Sequence, residues 1–287
     1  MAKKVLITGS QGMLATDMAK VWTGLGYQAT GLSHAQLDVT SANQVSEALE
    51  QTRPDIVVYT PGLGVDTCEQ EPEKGYRLHT WAPAQMARQC HSLGATFVYI
   101  STCGLFGDEV RFYSEYEPVQ LKTQYARSKF LGEQAATQAC RRTFVIRPGW
   151  LFGGTPSHQR NFVYQRFLEA RRESVVRSAG DKFGSPTSTE ELAAKILEIV
   201  DTAEYGVYHV TNTGRASRYE YVKCIVESFG LDTTVEPVES SSFPRAASVP
   251  DCELLENLNL KFLGLEPLQP WQEAIERYVT TLKKQGL

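Results

Sequence analysis

Lys3-Lys4-Val5-Leu6-Ile7-Thr8-Gly9-Ser10-Gln11-Gly12-Met13-Leu14-Ala15 is the stretch whose reading decides the fold. Val5-Leu6-Ile7 is an apolar run stopped by glycine, which reads as a buried strand. Met13, Leu14, Met18, Val21 and Trp22 follow at helical spacing, and Gly24 and Gly26 end that helix. Strand, tight turn and helix in this order bring backbone N–H groups and a helix N-terminus to one point, a natural seat for a pyrophosphate. The spacing is Gly9-x-x-Gly12-x-x-Ala15, and the small Ala15 still permits close helix–sheet packing. A tight turn with no ligand has the same pattern, so the rest of the chain must decide.

A second strand, Gln28–Leu32, ends at Ser33-His34. An acid there would bond the ribose hydroxyls of NAD and repel the 2′-phosphate of NADP. Its absence leaves NADP(H) acceptable, with NAD(H) also open, and Ser33 and His34 can donate to a 2′-phosphate, His34 more strongly when protonated. Leu37-Asp38-Val39-Thr40 reads as the cap of the next helix, through Asp38 or Thr40. A third strand at 54–59 runs into the loop Thr60-Pro61-Gly62-Leu63-Gly64. A helix at about 72–93 leads to a fourth strand at 96–102, which ends in Ser101-Thr102. Strands alternating with helices predict an α/β fold, a doubly wound parallel sheet of Rossmann type with ligands outside the carboxyl ends of its strands.

Tyr125-Ala126-Arg127-Ser128-Lys129 supplies the chemistry. Residues four apart share a helix face, and an ammonium beside a phenol pulls the phenol's pKa down from about 10. Tyr125 then becomes a proton donor near neutral pH. With 13 tyrosines the spacing also recurs by chance, and Tyr219 with Lys223 repeats it with no phosphate loop ahead. That second pair reads as an ordinary surface-helix pair.

The composition is that of a soluble protein: 287 residues, net charge −4 and no basic stripe for nucleic acid. Val5-Leu6-Ile7 is too short for a signal peptide or membrane span. Six cysteines (Cys68, Cys90, Cys103, Cys140, Cys224, Cys252) show no Cys-x-x-Cys pair and no metal spacing. They read as reduced thiols in the cytoplasm, and no metal site is expected.

With the Gly9 loop, Ser101-Thr102 with Phe106, and Tyr125-x-x-x-Lys129 continuing into Leu131-Gly132-Glu133, the chain resembles the extended short-chain dehydrogenases/reductases. Within them it is most similar to the dTDP-4-dehydrorhamnose reductase (RmlD-like) family. Arg147-Pro148-Gly149-Trp150, Asn161-Phe162-Val163, Gly184-Ser185-Pro186-Thr187, Gly206-Val207-Tyr208-His209-Val210, Pro244-Arg245 and Pro270-Trp271 extend the likeness over essentially the whole chain. The resemblance implies a nucleotide-binding domain at 1–152, to which 184–213 returns, and a smaller substrate lobe made of 153–183 and 214–287. It implies reduction of a keto group on a nucleotide-linked 4-keto-6-deoxy sugar: Tyr125 protonates the carbonyl oxygen, Lys129 holds the nicotinamide ribose, and Thr102 bonds the same oxygen. Gly9, Gln11, Gly12 and Met13 would hold the pyrophosphate, Asp38 and Val39 the adenine, and Thr60, Pro61 and Gly62 the middle of the cofactor. Cys103, Trp150 by stacking, Asn161, Pro186 and Arg245 would face the sugar nucleotide, and a homodimer is compatible with the family.

Where the family reads Ser-Thr-Asp-Tyr-Val-Phe, this chain has Ser101-Thr102-Cys103-Gly104-Leu105-Phe106. Loss of an acid and a phenol is expected to open volume beside Thr102 for a bulkier or less polar sugar, unless Tyr59 or His79 refills it. Two alternatives stay open: the rhamnose-forming reductase itself, and a non-catalytic NADP-binding regulatory subunit.

Overall fold

The computed structural model describes residues 2–286. The apolar runs become β1 (Lys4–Thr8), β2 (Gln28–Leu32), β3 (Ile56–Tyr59), β4 (Thr96–Ile100) and β5 (Thr143–Pro148). With the Gly206–Val210 strand they form one six-stranded sheet in the order Gly206–Val210, β5, β4, β3, β1, β2. Every pairing is parallel. Such a sheet needs cover on both faces, which is why β1 and β3 read as continuous apolar runs. On one side α1 (Met13–Gly24) and the Thr189–Thr202 helix bury Leu14, Met18, Trp22, Leu192 and Ile196. On the other, α2 (Ala42–Thr52) and the Ala82–Leu93 helix bury Val45, Leu49, Met86 and Ala87.

The chain leaves β1 for β2 on one side and then crosses to β3 on the other. The reversal leaves a crevice at the carboxyl ends of β1 and β3, and the Gly9 and Thr60 loops stand there. The expected cap of α2 is corrected: Ser41 caps it, its hydroxyl accepting from the Gln44 N–H. Asp38 instead closes the preceding turn, accepting from the Thr40 N–H at 2.9 Å and the Thr40 hydroxyl at 2.8 Å.

The helix expected at 72–93 is not regular. It runs as Pro72–Tyr76, a π turn at Arg77–Trp81, and Ala82–Leu93. Pro83 has no N–H, so it withholds the regular helical donor from the His79 carbonyl and the wider-turn donor from that of Leu78. The sheet supplies both: the Tyr99 hydroxyl donates to His79 O at 2.8 Å, and the Tyr59 hydroxyl to Leu78 O at 2.6 Å. The Gln124–Ala139 helix packs against this carbonyl through Gly132, where a Cβ would stand 1.9 Å from His79 O.

A buried polar network ties the Gln124–Ala139 helix to the sheet. The Glu133 carboxylate accepts from Arg147 at 2.9 and 2.6 Å, and it also takes the Ser101 hydroxyl. Arg147 donates in turn to His209 Nε2 at 3.3 Å, so the Nδ1–H of that ring serves the carbonyls of Tyr113 and Glu256. Burial, and then the Arg147 charge, push the His209 imidazole down to about 3.

A second core gathers Phe152, Phe167, Tyr221, Ile225, Trp271 and Ile275. A three-stranded sheet borders it: Phe183–Gly184 pairs with Ala216–Ser217 on one side and Cys252–Glu253 on the other. Leu260, Leu263, Leu265 and Leu268 pack with the main-sheet cluster instead, so part of the tail after 214 serves the nucleotide-binding side.

Two predictions follow from this packing. Gly132→Ala should destabilise the fold by about 1–3 kcal/mol, the usual cost of overpacking, seen as a lower thermal midpoint. Gly24→Ala, whose Cβ would meet nothing within 4 Å, should not. His209 is neutral when folded but takes up a proton below about 6.5 when unfolded. Its contribution to stability is therefore complete above that pH and lost as pH falls toward 3. Replacing His209 with Gln should flatten the acid limb of a denaturation–pH profile.

Candidate active site

The turn after β1 works because Gly9 has φ +71°, and a Cβ there would lie 2.9 Å from Thr60 Oγ1. Gly12 donates to Gly9 O at 3.0 Å and begins α1, whose first turn carries no acid. An anion therefore meets free N–H groups and the positive end of the helix dipole. From this turn a groove of about 1490 Å³ runs across the switch point.

Most of the expected cofactor residues line the groove. Gly9, Gln11, Gly12 and Met13 form its floor at the turn. His34, Asp38 and Val39 line one end, Thr60, Pro61 and Gly62 the middle, and Tyr125 and Lys129 the far wall. Ser33 is a correction: it is buried, and both its N–H and its hydroxyl are bonded to Gln36 Oε1, at 3.0 and 2.9 Å. The side chain is not free to reach a phosphate.

Lys74, Arg77, His158 and Arg160 also line the groove and were missed in the sequence. The π turn aims Arg77 at the same end as His34, near enough that both charges help hold the Asp38 carboxyl below its ordinary range, after the Thr40 bonds. The 155–160 loop crosses from the substrate side. Sequence spacing carries no sign of it, since only the tertiary fold brings His158 Nε2 to 3.4 Å from Thr16 Oγ1.

Tyr125 and Lys129 share a face of their helix as expected, beside Thr102 at the end of β4. The electrostatics differ from the simple pair, however. Lys129 is buried, donates to the Ile100 carbonyl at 2.5 Å and sits 4.3 Å over the Tyr99 ring. Burial pushes its amine down to about 7, with Glu133 pulling the other way. Tyr125 is likewise pushed well above its ordinary value by burial, and a hydrogen bond with Thr102 opposes this only in part. The expectation of a Lys-lowered phenol is thus corrected: Tyr125 is held as a protonated phenol.

His79 steadies that phenol. Leu63 N–H donates to its Nε2 at 3.0 Å, so Nδ1–H faces Ser128 Oγ at 2.8 Å, and the ring meets Tyr125 edge-on at 5.4 Å. Burial and the Lys129 charge push the imidazole down to about 2, so it stays neutral. Lys223 faces Glu227 at 3.8 Å on an exposed helix surface, so Tyr219 and Lys223 are the surface pair expected.

The sugar side departs most from expectation. The gap at Gly104 is occupied by neither Tyr59 nor His79. Glu253 Oε1 stands 3.0 Å from where a Gly104 Cβ would be, and Thr102 Oγ1 stands 3.6 Å from the same point. The space beside Thr102 therefore holds a carboxylate, and the expectation of a roomier, less polar pocket is corrected. Cys103 is buried and burial raises its thiol, which makes it unreactive.

Trp150 is only 7% exposed, with the Arg218 guanidinium 3.4 Å over its ring, so it offers no open stacking face. Asn161 is fully buried and spends its amide on the Tyr164 N–H, Thr155 O and Tyr278 hydroxyl. It is a helix cap rather than a sugar contact. Pro186 is buried in the strand paired with Trp150, and Arg245 is tied to Asp66 at 2.9 Å on the rim.

Known proteins share this fold. The family model described as RmlD substrate binding domain matches residues 3–284. The spore coat polysaccharide biosynthesis protein SpsK of Bacillus subtilis is 30% identical over 96% of this chain and 96% of its own. A dTDP-4-dehydrorhamnose reductase of Mycolicibacterium smegmatis is 31% identical over 98% of this chain and 86% of its own. The crystal structure of dTDP-4-dehydrorhamnose reductase from Bacillus anthracis in complex with NADP superposes with a TM-score of 0.93 at 29% identity, covering 98% of this chain and 100% of that one. With its fold and nearly its whole length shared with these proteins, the chain belongs to the RmlD substrate binding domain family.

Proposed function

We propose that the protein is an NAD(P)H-dependent reductase of the keto group on a dTDP-linked 4-keto-6-deoxy sugar. The observation that carries this is the convergence of a protonated Tyr125 and the buried Lys129 on the groove that starts at the Gly9 turn, with Thr102 bonded to the Tyr125 phenol beside them. Relatives of nearly full length bear the names dTDP-4-dehydrorhamnose reductase and dTDP-4-keto-6-deoxy-D-glucose reductase. A regulatory subunit would have no need of the three intact groups, so the enzyme reading is preferred. The division into a nucleotide-binding domain at 1–152 and a substrate lobe is part of the proposal, supported by the two separate cores.

The residues present fit a dinucleotide: a glycine turn no larger residue could replace, a helix N-terminus without an acid, and cations at the His34 end. When bound, the nicotinamide supplies the hydride. Gly9, Gln11, Gly12 and Met13 would hold the pyrophosphate, Asp38 and Val39 the adenine, and Lys129 the nicotinamide ribose. Thr102 would position the ketone oxygen, and Tyr125 would give it a proton as the carbonyl carbon is reduced. A phenol held protonated is suited to that donation, and the neutral His79 ring does not compete for the proton. Five of the six free cysteines are buried, in keeping with a cytoplasmic enzyme.

Incubating the protein with NADPH and a panel of dTDP-4-keto-6-deoxy sugars, while following nicotinamide absorbance, tests the activity. Tyr125→Phe should lower kcat about 10²- to 10⁴-fold, the usual worth of general acid catalysis, with NADPH affinity nearly unchanged. Tyr219→Phe should leave turnover as it was. No turnover of any of these sugars by the native protein overturns the reading.

NADPH should serve at least as well as NADH, because His34 and Arg77 line one end of the groove. Arg77→Ala should reduce kcat/KM for NADPH roughly tenfold, the lower range for a hydrogen bond to a charged group, and leave the value for NADH almost unmoved. Equal losses with the two cofactors would show that Arg77 does not read the 2′-phosphate.

A further inference from the structure

The Cys252–Glu253 strand has two residues, yet it brings a carboxylate close to Thr102 and Tyr125. Glu253 pairs with Gly184 in the small sheet, and Trp150 presses on that glycine so closely that a Cβ there would lie 2.3 Å from its ring. The indole N–H donates to Glu253 Oε2 at 2.6 Å. One oxygen is thereby fixed, and the other is turned toward the Gly104 gap beside Thr102. Glu253 is only partly buried, and its charge is felt at the Tyr125 phenol, so the carboxylate stands beside the proton donor. The Arg218 guanidinium over Trp150 feels the Glu253 charge, makes no ion pair within 4 Å among the described residues, and balances the carboxylate without consuming it.

Resting on the reductase reading above, we propose that Glu253 is the specificity-determining residue of this site. Its Oε1 accepts a hydrogen bond from the sugar hydroxyl on the carbon next to the reacting ketone. In a 4-keto-6-deoxy hexose that carbon is C3, because C5 carries the methyl group and the ring oxygen. The ketone oxygen on Thr102 and the neighbouring hydroxyl on Glu253 then fit two groups already held side by side. A carboxylate turned to a sugar with no hydroxyl there is left unpaired, which is the stronger way to discriminate. Glu253 and Trp150 thus act together, with the indole holding the carboxylate rather than stacking on the sugar.

Glu253→Gln isolates the role. The amide oxygen can still accept from the Trp150 indole, which leaves an NH₂ donor where the acceptor stood. The native enzyme and this variant are compared on a dTDP-4-keto-6-deoxy sugar and on its 3-deoxy counterpart. The native enzyme should favour the hydroxylated sugar about 10- to 100-fold in kcat/KM, the range for a hydrogen bond to a charged group, and the variant should lose that preference by losing the hydroxylated substrate. Equal losses on both sugars, or an unchanged preference, overturn the proposal and leave Glu253 as a support for Trp150. If the native protein turns over neither sugar, the reductase reading fails. In that case calorimetric binding of dTDP-6-deoxyglucose and its 3-deoxy analogue to the NADP-loaded protein decides, with the same ratios expected and the same outcomes overturning it.

Discussion

The site depends on one buried ion pair. Arg147 on β5 and Glu133 on the helix carrying Tyr125 and Lys129 are each about 5% exposed or less and meet in a two-pronged contact. Taking two charges out of water is costly, and an apolar pair of similar volume would often be as stable. What the pair contributes is position: the planar guanidinium admits few geometries, and Ser101 at the end of β4 bonds the same carboxylate. Helix, β4 and β5 are held in one register, and Lys129 reaches the Ile100 carbonyl from there. Breaking one partner would cost about 3–5 kcal/mol and release the very helix whose placement the chemistry needs.

The same network explains how buried basic groups survive at the centre of the molecule. His209 and His79 stay neutral, each with one ring nitrogen accepting and the other donating. Lys129 has a carbonyl, an aromatic face and the Glu133 charge around it. Its proton is held more loosely than that of an ordinary lysine, so a bound ligand that offers it an oxygen has a large effect on its charge. The chain tolerates buried polarity here because each group is answered by a partner on a different element.

The main sheet was legible because parallel strands are buried on both faces, so Val5-Leu6-Ile7 and the runs at 54–59 and 96–102 are continuous and apolar. The phosphate turn was legible because glycine spacing reports a backbone need directly. The substrate side was not. Trp150, Asn161 and Pro186 were matched by motif, but a motif cannot tell a residue that touches a ligand from one that braces its neighbour; Asn161 has no free polar atom left. Glu253 stands about 150 positions from Cys103-Gly104 in a segment without periodicity, and only the small sheet brings them together. Ser33 and Arg77 fail for a related reason. A polar residue at a strand end was assumed free when Gln36 had already claimed it, and the π turn that aims Arg77 is invisible to a pattern of regular helical spacing.

That π turn has a wider effect. An α-helix advances about 100° per residue, so one additional residue in a turn rotates everything before it by roughly that angle relative to everything after. Lys74 and Arg77 lie before or at the start of the turn, and Met86, Ala87 and Cys90, which pack on the sheet, lie after it. A straight helix with the same packed face would swing the two cations away from the groove. The absence of a single hydrogen atom on Pro83, answered by the Tyr59 and Tyr99 hydroxyls, therefore sets the electric field at the His34 end of the cofactor groove. A change at either tyrosine would reach cofactor choice through the helix's rotational phase, with no contact to the cofactor at all.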